Sequence, residues 1–266
     1  MKEVNQTRGI VIRFKEKIPE RFYRALTKPV SLVLRAVPTS LKYSIGLKQR
    51  RGNYPYCLVN QGDVVVQVGA PRDLLKVGRS RTIYFLNLVG DKGKVIVFEP
   101  DPDSIAALKS FAKSIGLADR LTLIEKGAWN ESTELVFLSS PTHPAANLIQ
   151  GAQDVDPAIL QRRQYREIRV PVTAIDEAFA AESLPFPKLV SITANGSEPQ
   201  ILEGMKEMIS NGLRYLALAI TGENYPEKLD KIGYDLIALD DRGFTFENRE
   251  LSTDDSATQN EVATTS

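Results

Sequence analysis

Two residues with the right chemistry stand at the ends of neighbouring apolar runs. Gly69 follows DVVVQV (63–68), and Glu99 closes KVIVFE (94–99). A glycine after a buried strand lets the backbone turn freely and lets a ligand approach, because no Cβ stands in the way. A carboxylate at the end of the adjacent strand can accept both hydroxyl protons of a ribose. Either residue alone also fits a plain turn or a solvated strand end. Together, with Gln67 and Ala70 flanking the glycine, they point to a nucleoside ligand.

The turn itself narrows the ligand. A dinucleotide site uses GxGxxG, so that a helix N-terminus can take the pyrophosphate. Here the segment reads GAPRDLLKVG, with only Gly69 and then Gly78. S-adenosylmethionine carries no phosphate and tolerates a longer, looser turn. A base for chemistry on an acceptor is supplied by His143, the only histidine, in the polar loop SSPTHPAAN. Its ordinary pKa suits proton abstraction near neutrality, although a solvated loop histidine has the same sequence signature.

The elements that must hold these residues alternate between apolar bursts and amphipathic stretches from Gln61 onward, which predicts βαβ units and a mostly parallel, doubly wound α/β sheet. DVVVQV, KVIVFE, LTLIE (121–125), ELVFL (134–138) and KLVSIT (188–193) read as strands, with YLALAI, YDLIAL and FTFEN following. EIRVPV (167–172) reads as an edge strand, because Pro171 cannot donate to a central ladder. Asp101 and Pro102 open a helix at N-cap and N1, and Gly116 closes it. Ile201, Leu202, Met205 and Ile209 predict one helix ending at Gly212.

Composition bounds the rest. One cysteine, Cys57, leaves no disulfide within the chain and no multi-thiolate metal site. The first twenty residues lack the apolar stretch of a secretory signal, so a cytoplasmic protein is expected. Residues 1–51 hold 13 Lys/Arg against 3 Asp/Glu, and the remainder 21 against 30, so a charge of +10 is followed by −9. That basic arm, cut by Pro19, Pro29 and Pro38, can lie peripherally on an anionic membrane or pack against its own acidic domain. Nucleic acid is not the expected partner. The expected organisation is a basic helical extension (1–59), one catalytic-size domain (60–251) and a disordered tail (252–266).

VVVQVGAP, LVGDKGKVIVFEPDPDSIAALK, GAWNES, VPVTAIDEAF and VSITANGSEPQILEGM, in this order and spacing, resemble the FkbM-type methyltransferases over residues 60–220. The resemblance implies a class I methyltransferase (Rossmann-like) seven-strand sheet, S-adenosylmethionine at the Gly69 turn, and methyl transfer to an oxygen of a glycan, lipid-linked or small natural-product acceptor. By position, Gly69 resembles the donor-loop glycine, Gly78 its later glycine, Glu99 the ribose acid, and Gly127, Ala128 and Trp129 the segment beside the adenine. For Trp129 an ordinary core or surface aromatic is an equal alternative.

The chain departs from the family pattern in three places. Gln67 replaces an acid before the first glycine, and its amide is still able to bond the donor's amino-acid end. Thr193 and Asn195, in ITANG, replace two acids of IDVEG, which leaves metal assistance poorly supported because Mg²⁺ prefers carboxylate oxygens. Glu198 keeps its acid and is a catalytic candidate, but Asn195 and Glu198 also have capping-box spacing. The lost acids motivate one alternative, a non-catalytic methyltransferase-like scaffold. A nicotinamide oxidoreductase is disfavoured by the missing phosphate glycines.

Overall fold

The computed structural model describes residues 38–74, 80–152, 156–219, 224–239 and 243–252. Gly78, most of the basic arm and nearly all of the tail lie outside them. The residues up to Gly46 form one unit, and Leu47–Ser266 a second. Helix α1 spans Thr39–Arg50. No described helix is long and apolar enough to cross a membrane.

The second unit is built on a seven-strand sheet. In chain order its strands are β1 (Val64–Val68), β2 (Lys94–Phe98), β3 (Leu121–Ile124), β8 (Leu189–Ile192), β9 (Tyr215–Ala219), β10 (Tyr234–Leu239) and β11 (Gly243–Asn248). Their spatial order is β10-β11-β9-β8-β1-β2-β3. The five strands from β3 to β9 pair in parallel, and only β11 runs against its neighbours. β1, β2 and β8 are dominated by apolar residues because both of their faces are covered, as parallel central strands require. Val66, Ile96, Val190 and Leu216 are fully enclosed. Each such side chain stabilises the fold by about 1.5–3 kcal/mol.

Register is what places the site. Val68 pairs with Phe98 on one side and with Ile192 on the other. The next residues, Gly69, Glu99 and Thr193, therefore form one row just past the carboxyl ends of three central strands. Backbone bonds extend the ladder by that row: Gly69 N–H donates to Phe98 O (2.9 Å) and Thr193 N–H to Val68 O (3.0 Å).

A second, four-strand sheet, β4-β7-β5-β6, consists of β4 (Gly127–Trp129), β5 (Thr133–Ser139), β6 (Leu148–Ile149) and β7 (Arg166–Ala174). Phe137, Ile149, Val170 and Val172 form its own small core. Here the expectation for 167–172 is corrected. β7 lies between β4 and β5 and is not an edge, yet β4 pairs only from Val172 onward. Pro171 therefore sits just outside the doubly paired stretch, where a missing donor is tolerated.

The helices in chain order are α2 (Thr82–Leu88), α3 (Pro102–Ser114), α4 (Pro157–Arg163), α5 (Ile175–Glu182), α6 (Glu198–Glu203), α7 (Lys206–Ser210) and α8 (Tyr225–Asp230). Asp101 and Pro102 take the N-cap and N1 positions of α3 as expected. The single helix expected up to Gly212 is instead two. A Cβ on Gly204 would lie 2.0 Å from the carbonyl oxygen of Trp129, so the chain passes β4 too closely for a regular helix with side chains. Asp176 then starts α7 by accepting the N–H groups of Glu207 (2.8 Å) and Met208 (3.0 Å). Residues before Asn60 also enter the fold. Tyr56 packs against Tyr84 and Phe85 (centroids 6.0 and 5.3 Å), and the Arg50 guanidinium lies 4.6 Å from the Tyr84 ring centre.

Candidate functional site

A cleft of about 590 Å³ opens over the Gly69, Glu99, Thr193 row. That size suits a nucleoside cofactor with part of an acceptor. Its floor is formed by Val68, Gly69, Ala70, Phe98 and Glu99, its flank by Gly127 and Ala128, and its far wall by residues 143–149 with Arg163.

Gly69 has φ +82, and a Cβ there would stand 2.5 Å from the carbonyl oxygen of Thr193. Both the dihedral and the close approach of β8 require glycine. Gln67 is fully buried, and its amide faces the turn from behind, donating to Val68 O (2.8 Å), Gly69 O (3.0 Å) and Thr193 Oγ1 (3.0 Å). The opposite amide orientation would aim its oxygen at two carbonyl oxygens, so these acceptors dictate the rotamer. Thr193 Oγ1 completes the brace by donating to Val68 O (3.0 Å). Gln67 thus supports the turn and does not reach the cleft surface, whereas Thr193 does.

Glu99 is 5% exposed and on the cleft floor. Its Oε2 accepts the N–H of Ala70 (2.6 Å) and its Oε1 that of Asp101 (2.9 Å). These bonds orient the carboxylate and leave each oxygen a lone pair for a ligand hydroxyl. Burial pushes its pKa up to about 7. The two backbone donors oppose that rise, and the nearby Asp101 charge adds to it.

The loop after β8 is held differently from the sequence expectation. Asn195 is not a helix cap. It has φ +51, and its Nδ2 donates to Ala145 O (3.1 Å) and Asn147 O (2.8 Å), tying this loop to the far wall. Asn147 in turn accepts the N–H of Ser140 through Oδ1 (2.8 Å). Glu198 is fully buried at the first position of α6, with Oε1 accepting Ala194 N–H (3.1 Å) and Oε2 accepting Gly196 N–H (2.8 Å). Burial raises its pKa, against those donors. Both of its oxygens serve the loop, and it does not line the cleft.

His143 is on the exposed rim of the far wall. Its Nδ1 lies 2.9 Å from Thr142 Oγ1, and its N–H donates to Ser140 Oγ (3.1 Å). Trp129 packs on the core of the second sheet and is absent from the cleft lining. Among the expected site residues the structure thus gathers Gly69, Ala70, Glu99, Gly127, Ala128, Thr193 and His143, and holds Gln67, Glu198 and Trp129 behind the surface.

Ser197 and Arg163 escaped the sequence reading. Ser197 is 2% exposed, its Oγ has no partner among the described residues, and it lines the cleft. Its position in GSEP was the only available signal. Arg163 ends a helix that the polar composition of its loop concealed. Among the described residues no cluster of three or more His, Cys, Asp or Glu forms.

These features fit S-adenosylmethionine. The Cβ-free turn admits a close ligand, the buried carboxylate on the floor keeps lone pairs that ribose hydroxyls would suit, and the Ser197 hydroxyl has no partner among the described residues. The methyltransferase FkbM domain model matches residues 67–246, more than half of the chain. No curated protein matches the chain in sequence. Among solved structures, an FkbM methyltransferase from Methylobacillus flagellatus is similar at 15% identity over 73% of this chain and 46% of that one, with a TM-score of 0.47. Aeropyrum pernix fibrillarin with bound S-adenosyl-L-methionine is similar at 11% identity over 77% and 74% (TM-score 0.41). A SAM-dependent methyltransferase from Aquifex aeolicus follows at 14% over 82% and 95% (TM-score 0.38). The chain spans less than half the length of the Methylobacillus protein. With its matched domain covering the central strands and the cleft alike, the chain belongs to the FkbM methyltransferase family.

Proposed function

We propose that the chain is an S-adenosylmethionine-dependent methyltransferase whose methyl group goes to a hydroxyl oxygen of a glycan, lipid-linked or small natural-product acceptor, with His143 as the base. The observation that carries this reading is the imidazole on the cleft rim. Thr142 Oγ1 lies 3.2 Å from Arg163 O, a group that only accepts. With the hydroxyl hydrogen on that carbonyl, Nδ1–H donates to Thr142 and Nε2 keeps its lone pair for an acceptor proton.

When bound, S-adenosylmethionine supplies a methyl group on a sulfonium centre, open to in-line displacement. The chain's own contribution is positioning. Glu99 takes the ribose hydroxyls, Gly69 and Ala70 present backbone to the donor, and Gly127 and Ala128 flank the adenine. Gln67, Thr193 and Glu198 keep the two loops in place. Alignment of the acceptor oxygen with the methyl carbon then accounts for much of the acceleration.

The test is methyl incorporation from labelled donor into a small-molecule extract, followed by chemical analysis of the product. A methyl ether, stable to alkali, with transfer reduced in His143→Gln at unchanged donor affinity, is the expected result. Label found on nitrogen, or as an alkali-labile ester, would sink the hydroxyl reading.

A further inference from the structure

The far wall of the cleft carries a cation with no counter-charge among the described residues. Arg163 is half-buried in that wall, and its Nη1 donates to Tyr165 Oη (3.2 Å), which donates to Ala146 O (2.6 Å). This relay aims the guanidinium along the Pro144–Ala146 turn. A guanidinium has five N–H donors, and the bond to Tyr165 is the only one that Arg163's side chain makes among the described residues.

The backbone of Arg163 is fixed to the loop that bears the base. Its carbonyl accepts from Ser140 Oγ (2.6 Å) and Thr142 Oγ1 (3.2 Å), and Ser140 Oγ also accepts the N–H of His143. Cation and imidazole therefore belong to one braced wall. Among the described residues Glu99 is the only acid lining the cleft, and it lies on the floor at the end of β2. Stabilising the C-terminus of α4 does not require this side chain in the cleft, since the exposed Arg162 already supplies charge in that turn. A partly desolvated guanidinium without a counter-ion is costly, and a planar oxyanion group recovers that cost through paired N–H donors.

We propose that Arg163 selects an acceptor bearing an oxyanion group, a carboxylate or a phosphate, near the oxygen presented to His143. This rests on the reading that the His143 wall faces the acceptor. Arg163 is a specificity residue that anchors the acceptor by its charged substituent, while the methylated atom is set by the rest of the cleft.

The experiment titrates the full chain, saturated with S-adenosylhomocysteine, with glucuronate, glucose 6-phosphate and glucose, in wild type, Arg163→Gln and Arg163→Lys. At least one of the two anions should bind tenfold or more tightly than glucose. Arg163→Gln should bring it down to the level of glucose, and Arg163→Lys should keep part of the gain. Glucuronate favoured alone assigns a carboxylate, and glucose 6-phosphate alone a phosphate. S-adenosylhomocysteine affinity within twofold of wild type shows that both variants are folded. Equal binding of all three sugars, or anion binding unmoved by Arg163→Gln, overturns the proposal. So does a tenfold loss of S-adenosylhomocysteine affinity, which would assign the guanidinium to the cofactor's own carboxylate. Binding is read without turnover, so a product methylated elsewhere than on oxygen would count against the hydroxyl reading alone.

Discussion

Asn195 Nδ2 lies 2.8 Å from the carbonyl oxygen of Asn147, so one amide joins the loop after β8 to the wall that carries His143. The same nitrogen reaches Ala145 O at 3.1 Å. Two carbonyl oxygens require a donor, and a carboxylate at 195 would face them with like partial charge. The loss of an acid here is therefore coupled to the way the far wall is held.

Asn195→Ala removes this tie and leaves two carbonyls short of a donor. It should cost about 1–3 kcal/mol, with faster amide exchange over residues 140–150. Donor affinity should stay within twofold, and kcat/KM for the acceptor should fall. Asn195→Asp should be worse than alanine above pH 5, when the carboxylate is charged.

Gly69→Ala combines a left-handed dihedral with a Cβ placed 2.5 Å from Thr193 O. Strain of about 1–3 kcal/mol is expected. Calorimetric titration should show S-adenosylmethionine affinity reduced at least tenfold. Wild-type affinity in this variant would remove the turn from the donor site.

Glu99 titrates where it can be observed. Its folded pKa, about 7, exceeds the ordinary 4.5, so burial disfavours the charged form. The associated stability is fully present below about pH 4.5 and is lost as pH rises through 7, a change of about 3 kcal/mol. Thermal melts of Glu99→Gln should lack this slope. Ribose hydroxyls donate best to the ionised group, so donor affinity should strengthen as pH rises through about 7. Glu99→Ala should weaken donor binding about tenfold or more, as expected for lost hydrogen bonds to a charged group.

His143→Gln should lower the rate of methyl transfer by about 10²–10⁴-fold. S-adenosylmethionine affinity should be unchanged. A rate equal to wild type would leave His143 as a rim residue only.

Much of the donor side was legible in the chain. DVVVQV, KVIVFE and KLVSIT announce buried parallel strands because residues covered on both faces leave no alternation, and the glycine or acid that follows such a run falls at the ligand end of the sheet. The Asp101–Pro102 start of α3 was readable for the same local reason. Other elements depend on contacts far apart in sequence. β4 and β6 are too short to signal themselves, and α4 hides in a polar loop. The break at Gly204 comes from the carbonyl of Trp129, seventy-five residues earlier.

The side chains divide along the same line. Gln67, Glu198 and Trp129 had the right types and positions for a site, and only packing could tell that their polar atoms or ring face the protein's own backbone or core. Arg163 carries no motif and Ser197 only its place in GSEP, and both enter because folding brings the loop after β8 and the end of α4 to one cleft. The sequence by itself determined the central strands, the Gly69 turn and the carboxylate at the end of β2, since strand-end chemistry is encoded locally. Tertiary structure alone decided which polar groups face the ligand, because that depends on what each buried donor and acceptor already satisfies.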